Sequence, residues 1–206
     1  ANKESYFYRN KLEFSFSDKK WLTNEEVKSG VEIDNRNALG FHIPKMFDKI
    51  LDIKNCYLQE EPSNSIRNEI RDFANKNGLT FFGVRDKTGL LRTLMIRSSS
   101  NGELMVLIQF FENQPENIEL LLNHLKTKFP QITSLQYVIN QKGNDTLQDL
   151  DIITFYGRDH IFEEMEGLKF KISAKSFYQT NSAQAYELYK ITRDLFSVFS
   201  TSSFFL

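Results

Sequence analysis

Two mostly apolar runs, 90–97 and 104–111, are joined by the hexapeptide Ser98-Ser99-Ser100-Asn101-Gly102-Glu103. Both read as strands, and Asn-Gly is the strongest short hairpin signal because both residues tolerate positive φ. The flanking segments decide what that hairpin belongs to. Upstream, Pro62-Ser63-Asn64 opens a helix with Ile66, Ile70, Phe73 and Ala74 on one face and Arg67, Glu69 and Lys76 elsewhere. Asn77-Gly78 closes it with a left-handed cap. Downstream, Pro115 starts a second amphipathic helix with Ile118, Leu121, Leu122 and Leu125 inward, ending near Pro130. A strand over 135–140 follows. The order helix, strand, strand, helix, strand predicts an α+β fold, in which two helices pack on one face of a mostly antiparallel sheet.

The rest of the chain extends this unit at both ends. Over 8–17, Leu12, Phe14 and Phe16 alternate with Lys11, Glu13 and Ser15, the period of a half-buried strand. Residues 18–37 are polar and read as a long loop. A second strand covers 39–43, stopped by Pro44, and a third covers 49–53, ending before Cys56. After the turn Gly143-Asn144-Asp145 come strands over 152–156 and 168–173. The last helix spans 182–196, with Ala185, Leu188, Tyr189, Thr192 and Leu195 or Phe196 as its apolar stripe. The tail 199–206 shows no clear period. This predicts N-terminal strands over 1–60, an α/β sandwich over 61–175, and a final segment over 176–206 that leads out of it.

Composition excludes several classes. Of 206 residues, 40% are hydrophobic and 26% charged, a globular balance. The formal net charge of -1 does not advertise nucleic acid, although a local basic face is compatible with it. The 9 glycines form neither a G-x-G-x-x-G nor a phosphate-binding P-loop. The only cysteine, Cys56, excludes an internal disulfide and fits a reducing cytoplasm. No apolar run reaches the ~18 residues of a membrane span, and the first residues lack the apolar stretch of a signal peptide. There is no initiator Met, so the chain is expected to be a piece of something longer. A monomer is the default expectation, because no wide apolar helix face is left over.

Cys56 reads as a small buried residue after a strand, and alone it cannot make an iron–sulfur or zinc site, which takes about four ligands. His42, His124 and His160 are scattered: His42 within a strand, His124 on a solvated flank, His160 in a polar loop. No triad or metal spacing emerges from them. Glu163-Glu164-Met165-Glu166 reads as a solvated acidic turn. Arg92 and Arg97 flank a hairpin strand, with Arg85 and Lys87 just before it. Lys169, Lys171, Ser173 and Lys175 alternate with Leu168, Phe170, Ile172 and Ala174, so the lysines project from one strand face. That pattern is either a phosphate-binding stripe or a solvated sheet face with edge protection. Next, at a strand-to-helix junction, stands Ser176-Phe177-Tyr178-Gln179-Thr180-Asn181-Ser182. Asn181 or Ser182 can cap the helix. The Gln179 amide can read a pyrimidine edge or a polar cofactor group, and Phe177 and Tyr178 offer faces for stacking.

Phe177-Tyr178-Gln179-Thr180-Asn181 before a helix resembles the F-x-Q-x-N element of the RNA uracil-5-methyltransferases of RumA/TrmA type, where it marks the passage from a central domain into the methyltransferase domain. Tyr8-Arg9-Asn10-Lys11 resembles the Y-R-N-[KR] start of that central domain. Leu39-Gly40-Phe41-His42 followed by Asp52-Ile53 and Cys56 resembles its G-F…D-[IV]-x-x-C run. Over roughly 5–195 the chain resembles the Bacteroidetes-type 23S rRNA enzymes. The resemblance implies S-adenosyl-L-methionine as cofactor, ribosomal RNA as partner, and neither DNA nor membrane. It implies that Gln179 contacts the cofactor or the target uracil and that Phe177 supports the pocket. Arg92, Arg97, Lys169, Lys171 and Lys175 are then candidate RNA contacts. Cys56 matches the last ligand of a 4Fe-4S cluster in members that carry one; its three fellow cysteines have no counterpart before Tyr8, so a free thiol is expected. The family's cysteine nucleophile, its carboxylate base and its Gly-rich cofactor loop lie beyond the last helix, toward a SAM-binding domain missing from this chain, so the isolated chain is expected to be inactive. The competing expectation is a stand-alone, non-catalytic RNA-binding or protein-interaction module; a cysteine enzyme using Cys56 is a third.

Overall fold

A computed structural model describes residues 5–202. The alternation near the N-terminus becomes β1 (Lys11–Ser17), with Leu12, Phe14 and Phe16 buried and Glu13 exposed. β1 pairs antiparallel with β2 (Ala38–Ile43), which turns through Pro44-Lys45 into β3 (Met46–Asp52). Gly40 stands where a Cβ would fall 2.0 Å from the Leu51 carbonyl oxygen, so the approach of β3 admits only glycine there.

On its other edge β1 pairs antiparallel with β4 (Leu91–Ser98), and β4 with β5 (Leu104–Phe110). The β4–β5 hairpin forms as expected. At its turn only Gly102 takes a positive φ, of 82°, while the Asn101 carboxamide accepts from Ser99 Oγ instead. β5 runs parallel to β6 (Ser134–Ile139), a pairing that needs a crossover, and α3 (Pro115–Lys128) supplies it. β7 (Ile153–Gly157) closes the sheet antiparallel to β6, giving the order β3-β2-β1-β4-β5-β6-β7.

Helix α2 (Ser63–Lys76) lies beside α3 on one face of this sheet. Ile66, Ile70 and Ala74 join Ile118, Leu121, Leu122 and Leu125 against Phe14, Leu94, Ile96, Val106 and Ile108. Each such buried Leu, Ile or Phe contributes about 1.5–3 kcal/mol. α2 ends on paired bonds from Leu79 N to Ala74 O and from Gly78 N to Asn75 O, the Schellman pattern that Asn77-Gly78 announces. The opposite face, with Met95, Met105, Leu107 and Val138, is covered by a separate two-stranded ribbon of β8 (His160–Met165) and β9 (Leu168–Ser173) through Ile161, Ile172 and Ala174. β4 and β5 are therefore dry on both faces, which is why they read as apolar runs. The architecture is the α+β arrangement expected, a mostly antiparallel sheet with two helices on one face.

Four local expectations are corrected. The polar stretch 18–37 contains a short helix, α1 (Asn24–Lys28), started by a capping box: Thr23 N donates to Glu26 Oε2 at 2.8 Å and Glu26 N to Thr23 Oγ1 at 3.2 Å. Of the acidic run, 163–165 belong to strand β8 and only Glu166 lies in the turn. His124 is not simply solvated; it stacks on Phe73 with ring centroids 4.0 Å apart and bonds Glu69 Oε1 at 2.7 Å, joining α3 to α2. The last helix, α4 (Ser182–Ser202), extends beyond 196, and 203–206, the end of the tail, lie outside the described residues. Within it Ala185 is buried but Leu188, Tyr189, Leu195 and Phe196 are exposed. An apolar helix face is thus left uncovered, and the premise of the monomer expectation fails.

Candidate functional site at the strand-to-helix junction

The turn after β9 is held from three sides. From within, Ser176 N donates to Ser173 O at 3.1 Å and Ser173 N to Ser176 Oγ at 3.0 Å. From β4, Arg97 donates through Nη1 to the carbonyls of Ser173 and Ser176 (3.3 and 3.2 Å) and through Nη2 to Ser176 O at 3.2 Å. From just before β1, Asn10 donates through Nδ2 to Gln179 O and to Ser182 Oγ, both at 2.8 Å, while Asn10 N donates to Thr180 O at 2.8 Å. Asn10 and Gln179, the centres of two resembling motifs 169 positions apart, are in direct contact.

Asn181 begins α4, its Oδ1 accepting from Gln184 N at 2.9 Å. Beneath it lies Glu163, only 2% exposed. Its carboxylate accepts from Ser100 N (3.0 Å), Ser100 Oγ, Glu164 N (3.1 Å) and Ser182 Oγ (3.4 Å). These donors explain a buried charge without a cation, and they tie the β4–β5 turn and the ribbon to the start of α4. A cleft of about 320 Å³ opens between Tyr8, Asn10, Ser100, Glu163 and Ser182. In the turn that leads to α4 Phe177 is 86% exposed, and the Gln179 side-chain amide makes no hydrogen bond among the described residues.

Tyr178 points inward. Burial, with Glu163 and Tyr189 adding to it, pushes its phenol up to about 12, and its buried hydroxyl has no hydrogen-bond partner among the described residues. The neutral phenol is favoured by the fold, so its contribution is complete below pH 10 and is lost as pH rises toward 12. Tyr178→Phe removes an unsatisfied buried group. It is expected to keep or slightly raise the melting temperature at pH 7.5 and to flatten the decline between pH 9.5 and 11. Parallel melts of the two proteins check this; a variant several degrees less stable at pH 7.5 would contradict it.

The expected basic residues divide. Arg92 and Arg97, expected among the RNA contacts, are 5% and 3% exposed and spend donors inside the fold, which corrects that expectation. Arg92 donates to Asn140 O (2.6 Å), Lys142 O (2.8 Å) and Asp145 Oδ1 (2.8 Å), with its guanidinium 5.0 Å from the Phe82 ring centroid. Lys169 and Lys171 are exposed on β9, facing Glu164 at 3.4 Å and Asp159 at 3.8 Å across the ribbon. Lys175 donates to Gln148 O at 3.1 Å. Cys56 is buried, its backbone held by Asn64 (2.7 and 3.1 Å). One thiol supplies one ligand where an iron–sulfur cluster needs about four, and no group of three or more His, Cys, Asp or Glu among the described residues is placed to hold a metal ion. No helix among them is long and apolar enough to cross a membrane.

No family model matches the sequence. The fold is that of part of a solved protein, the tRNA (uracil-54, C5)-methyltransferase of Pyrococcus abyssi in complex with S-adenosyl-L-homocysteine. The TM-score is 0.68 at 20% identity, over 94% of this chain and 42% of that one. An uncharacterized RNA methyltransferase of Bacteroides thetaiotaomicron is 56% identical over 191 residues, 91% of this chain, and one of Porphyromonas gingivalis is 52% identical over 202 residues. The chain spans 42% and 43% of the length of these two relatives. With identity this high sustained along nearly all of its sequence, the chain belongs to the same family of RNA methyltransferases.

Proposed function

We propose that the chain is the RNA-binding, site-bordering portion of an S-adenosyl-L-methionine-dependent uracil-5-methyltransferase that acts on 23S rRNA. The observation that carries this is the contact of Asn10 with Gln179 and Ser182, which joins two motifs of that family into one junction. Gln179 has a free amide to read a pyrimidine edge or a cofactor group, and Phe177 has a free ring to pack against either. When bound, S-adenosyl-L-methionine supplies the methyl group. The residues of this chain orient what lies at the junction and exclude water from its floor, where Glu163 and the Tyr178 hydroxyl are buried.

Covalent chemistry is assigned elsewhere. Cys56 is buried under α2 and held by backbone bonds to Asn64, so it is not the attacking thiol. Residues 176–206 form the start of the methyltransferase domain, and the uncovered face of α4, with Leu188, Ile191 and Leu195, packs against the part of the relatives that this chain does not span. Lys169 and Lys171, exposed on the ribbon, contact RNA phosphates.

The test is direct. The purified chain, offered radiolabelled S-adenosyl-L-methionine and a 23S rRNA fragment, is expected to bind the RNA in a salt-dependent way and to transfer no methyl label. Replacing Lys169 and Lys171 together with Gln is expected to weaken binding and flatten its salt slope. Methyl transfer by the chain alone, or no RNA binding at all, would overturn the reading.

A further inference from the structure

At the edge of the sheet farthest from β7, the β2–β3 turn carries a feature that the junction does not use. Phe47 is 62% exposed, with exposed Met46 beside it. The Arg85 guanidinium lies 5.1 Å from its ring centroid and is held there by a 2.6 Å bond from Nε to Asp48 Oδ2. That bond keeps the Asp48 carboxyl below its usual range. Around the ring, Lys19, Lys45 and Lys49 border a groove of about 490 Å³.

Two nearby acids are already engaged, Asp48 by Arg85 and Asp86 by Lys19 at 3.4 Å. Lys45 and Lys49 have no acidic partner within 4.0 Å among the described residues. In a chain of net charge -1, this is a local surplus of cations. Lysines commonly protect sheet edges, but edge protection does not account for an exposed phenylalanine carrying a fixed guanidinium.

We propose that this tip is a second RNA contact, in which Phe47 stacks on an unpaired base while Lys45 and Lys49 hold the adjoining phosphates. A flat ring flanked by uncompensated cations matches a single strand, whose bases offer π-faces and whose backbone repeats a negative charge. A protein partner with an acidic surface would use the lysines but has no need of the ring. The inference rests on the RNA-binding reading above and adds to it a site remote in the fold from the ribbon lysines.

The experiment is fluorescence anisotropy with a labelled uridine-rich RNA of about 12 nucleotides, using the 206-residue chain and three variants. Phe47→Ala is expected to weaken binding about 10-fold, within the range for loss of one base–aromatic stack. Lys45→Gly with Lys49→Gln is expected to reduce the salt slope by about 1.4, that is about 0.7 for each phosphate no longer neutralised. Lys45 sits at φ 67°, where glycine is preferred, so Lys45→Gly should hold or raise the melting temperature while affinity falls. A folding defect would lower the melting temperature together with the affinity. The third variant, Lys169→Gln with Lys171→Gln, separates the two sites. If it weakens binding and the tip variants do not, the tip proposal is overturned and the general reading stands. If the parent chain binds no RNA, both fall. A poly-glutamate peptide is the control: if Phe47→Ala weakens its binding as much as it weakens RNA binding, the tip is only a polyanion surface and the proposal fails.

Discussion

Arg97→Ala is expected to destabilise the chain by about 3 kcal/mol, lowering the melting temperature by roughly 6–12 °C for a domain of this size. The Arg97 guanidinium is buried and spends Nη1 and Nη2 on the carbonyls of Ser173 and Ser176, while its Nε has no partner among the described residues. Burial pulls its pKa below the ordinary arginine value, with Glu13 opposing. Truncation leaves the Ser176 carbonyl without its side-chain donors, takes one donor from Ser173 O, which keeps Ser176 N, and opens a void between β4 and the ribbon. Because the turn 173–176 precedes Gln179, the damage should be local as well as global. Amide exchange across 173–185 is expected to accelerate more than exchange in α2 or α3. Arg97→Lys keeps the charge but not the planar fork, and should fall between the two. Uniform acceleration in all elements, or a loss below about 1 kcal/mol, would show that the clamp does not hold the junction.

The same residue shows where sequence reading stops. The unit from α2 to β6 was legible because its strands and helices bury apolar side chains at regular intervals, and periodicity reports burial directly. Arginine has no such signal. Arg67 and Arg97 are satisfied chiefly by backbone carbonyls, and Arg92 by two carbonyls and a distant aspartate, partners that carry no side-chain signature in the sequence. All three therefore read as surface residues. Strand β8 was hidden for a related reason: Glu163 is buried by hydroxyl and amide donors from Ser100 and Ser182, far away in the chain. Helix α1 did leave a signal, the Thr23-x-x-Glu26 box, which the surrounding polar residues mask. At the site itself, Gln179 and Phe177 could be placed at the strand-to-helix junction from order alone. That Asn10 would reach Gln179 depends on a seven-stranded sheet bringing the first strand beside the turn after the ninth, and no local pattern encodes that.

Arg67→Ala should be the most damaging of the single substitutions, at about 3–5 kcal/mol. Arg67 is fully buried in α2 and donates to Ile53 O (3.2 Å), Lys54 O (2.9 Å) and Asn64 Oδ1 (2.9 Å), with its guanidinium 4.9 Å from the Phe14 ring centroid. It fastens the segment after β3 to the helix, and Asn64 passes the restraint on to Cys56. Its Nη1 has no partner among the described residues, and burial, with Arg71 adding, pulls its pKa down against Cys56, Asp52 and Glu61. The charge is thus incompletely compensated, which separates two kinds of replacement. Alanine opens a cavity and takes one donor from each of three acceptors, which keep Arg71 Nη1 (3.5 Å), Asn68 Nδ2 (2.9 Å) and Cys56 N (2.7 Å). Methionine fills most of the volume and also removes the unsatisfied nitrogen and the buried charge, so Arg67→Met should cost only about 1–2 kcal/mol. Urea unfolding of both variants gives the order, and the rate of Cys56 modification by a thiol reagent gives the location. In Arg67→Ala that rate should rise at urea concentrations where the rest of the chain is still folded, because the 53–56 segment has lost the anchor that bonds both Ile53 O and Lys54 O. If methionine proves as damaging as alanine, the ionic hydrogen bonds rather than the packed volume hold this corner. If neither variant exposes Cys56, Asn64, Asn68 and Arg71 hold the segment without Arg67.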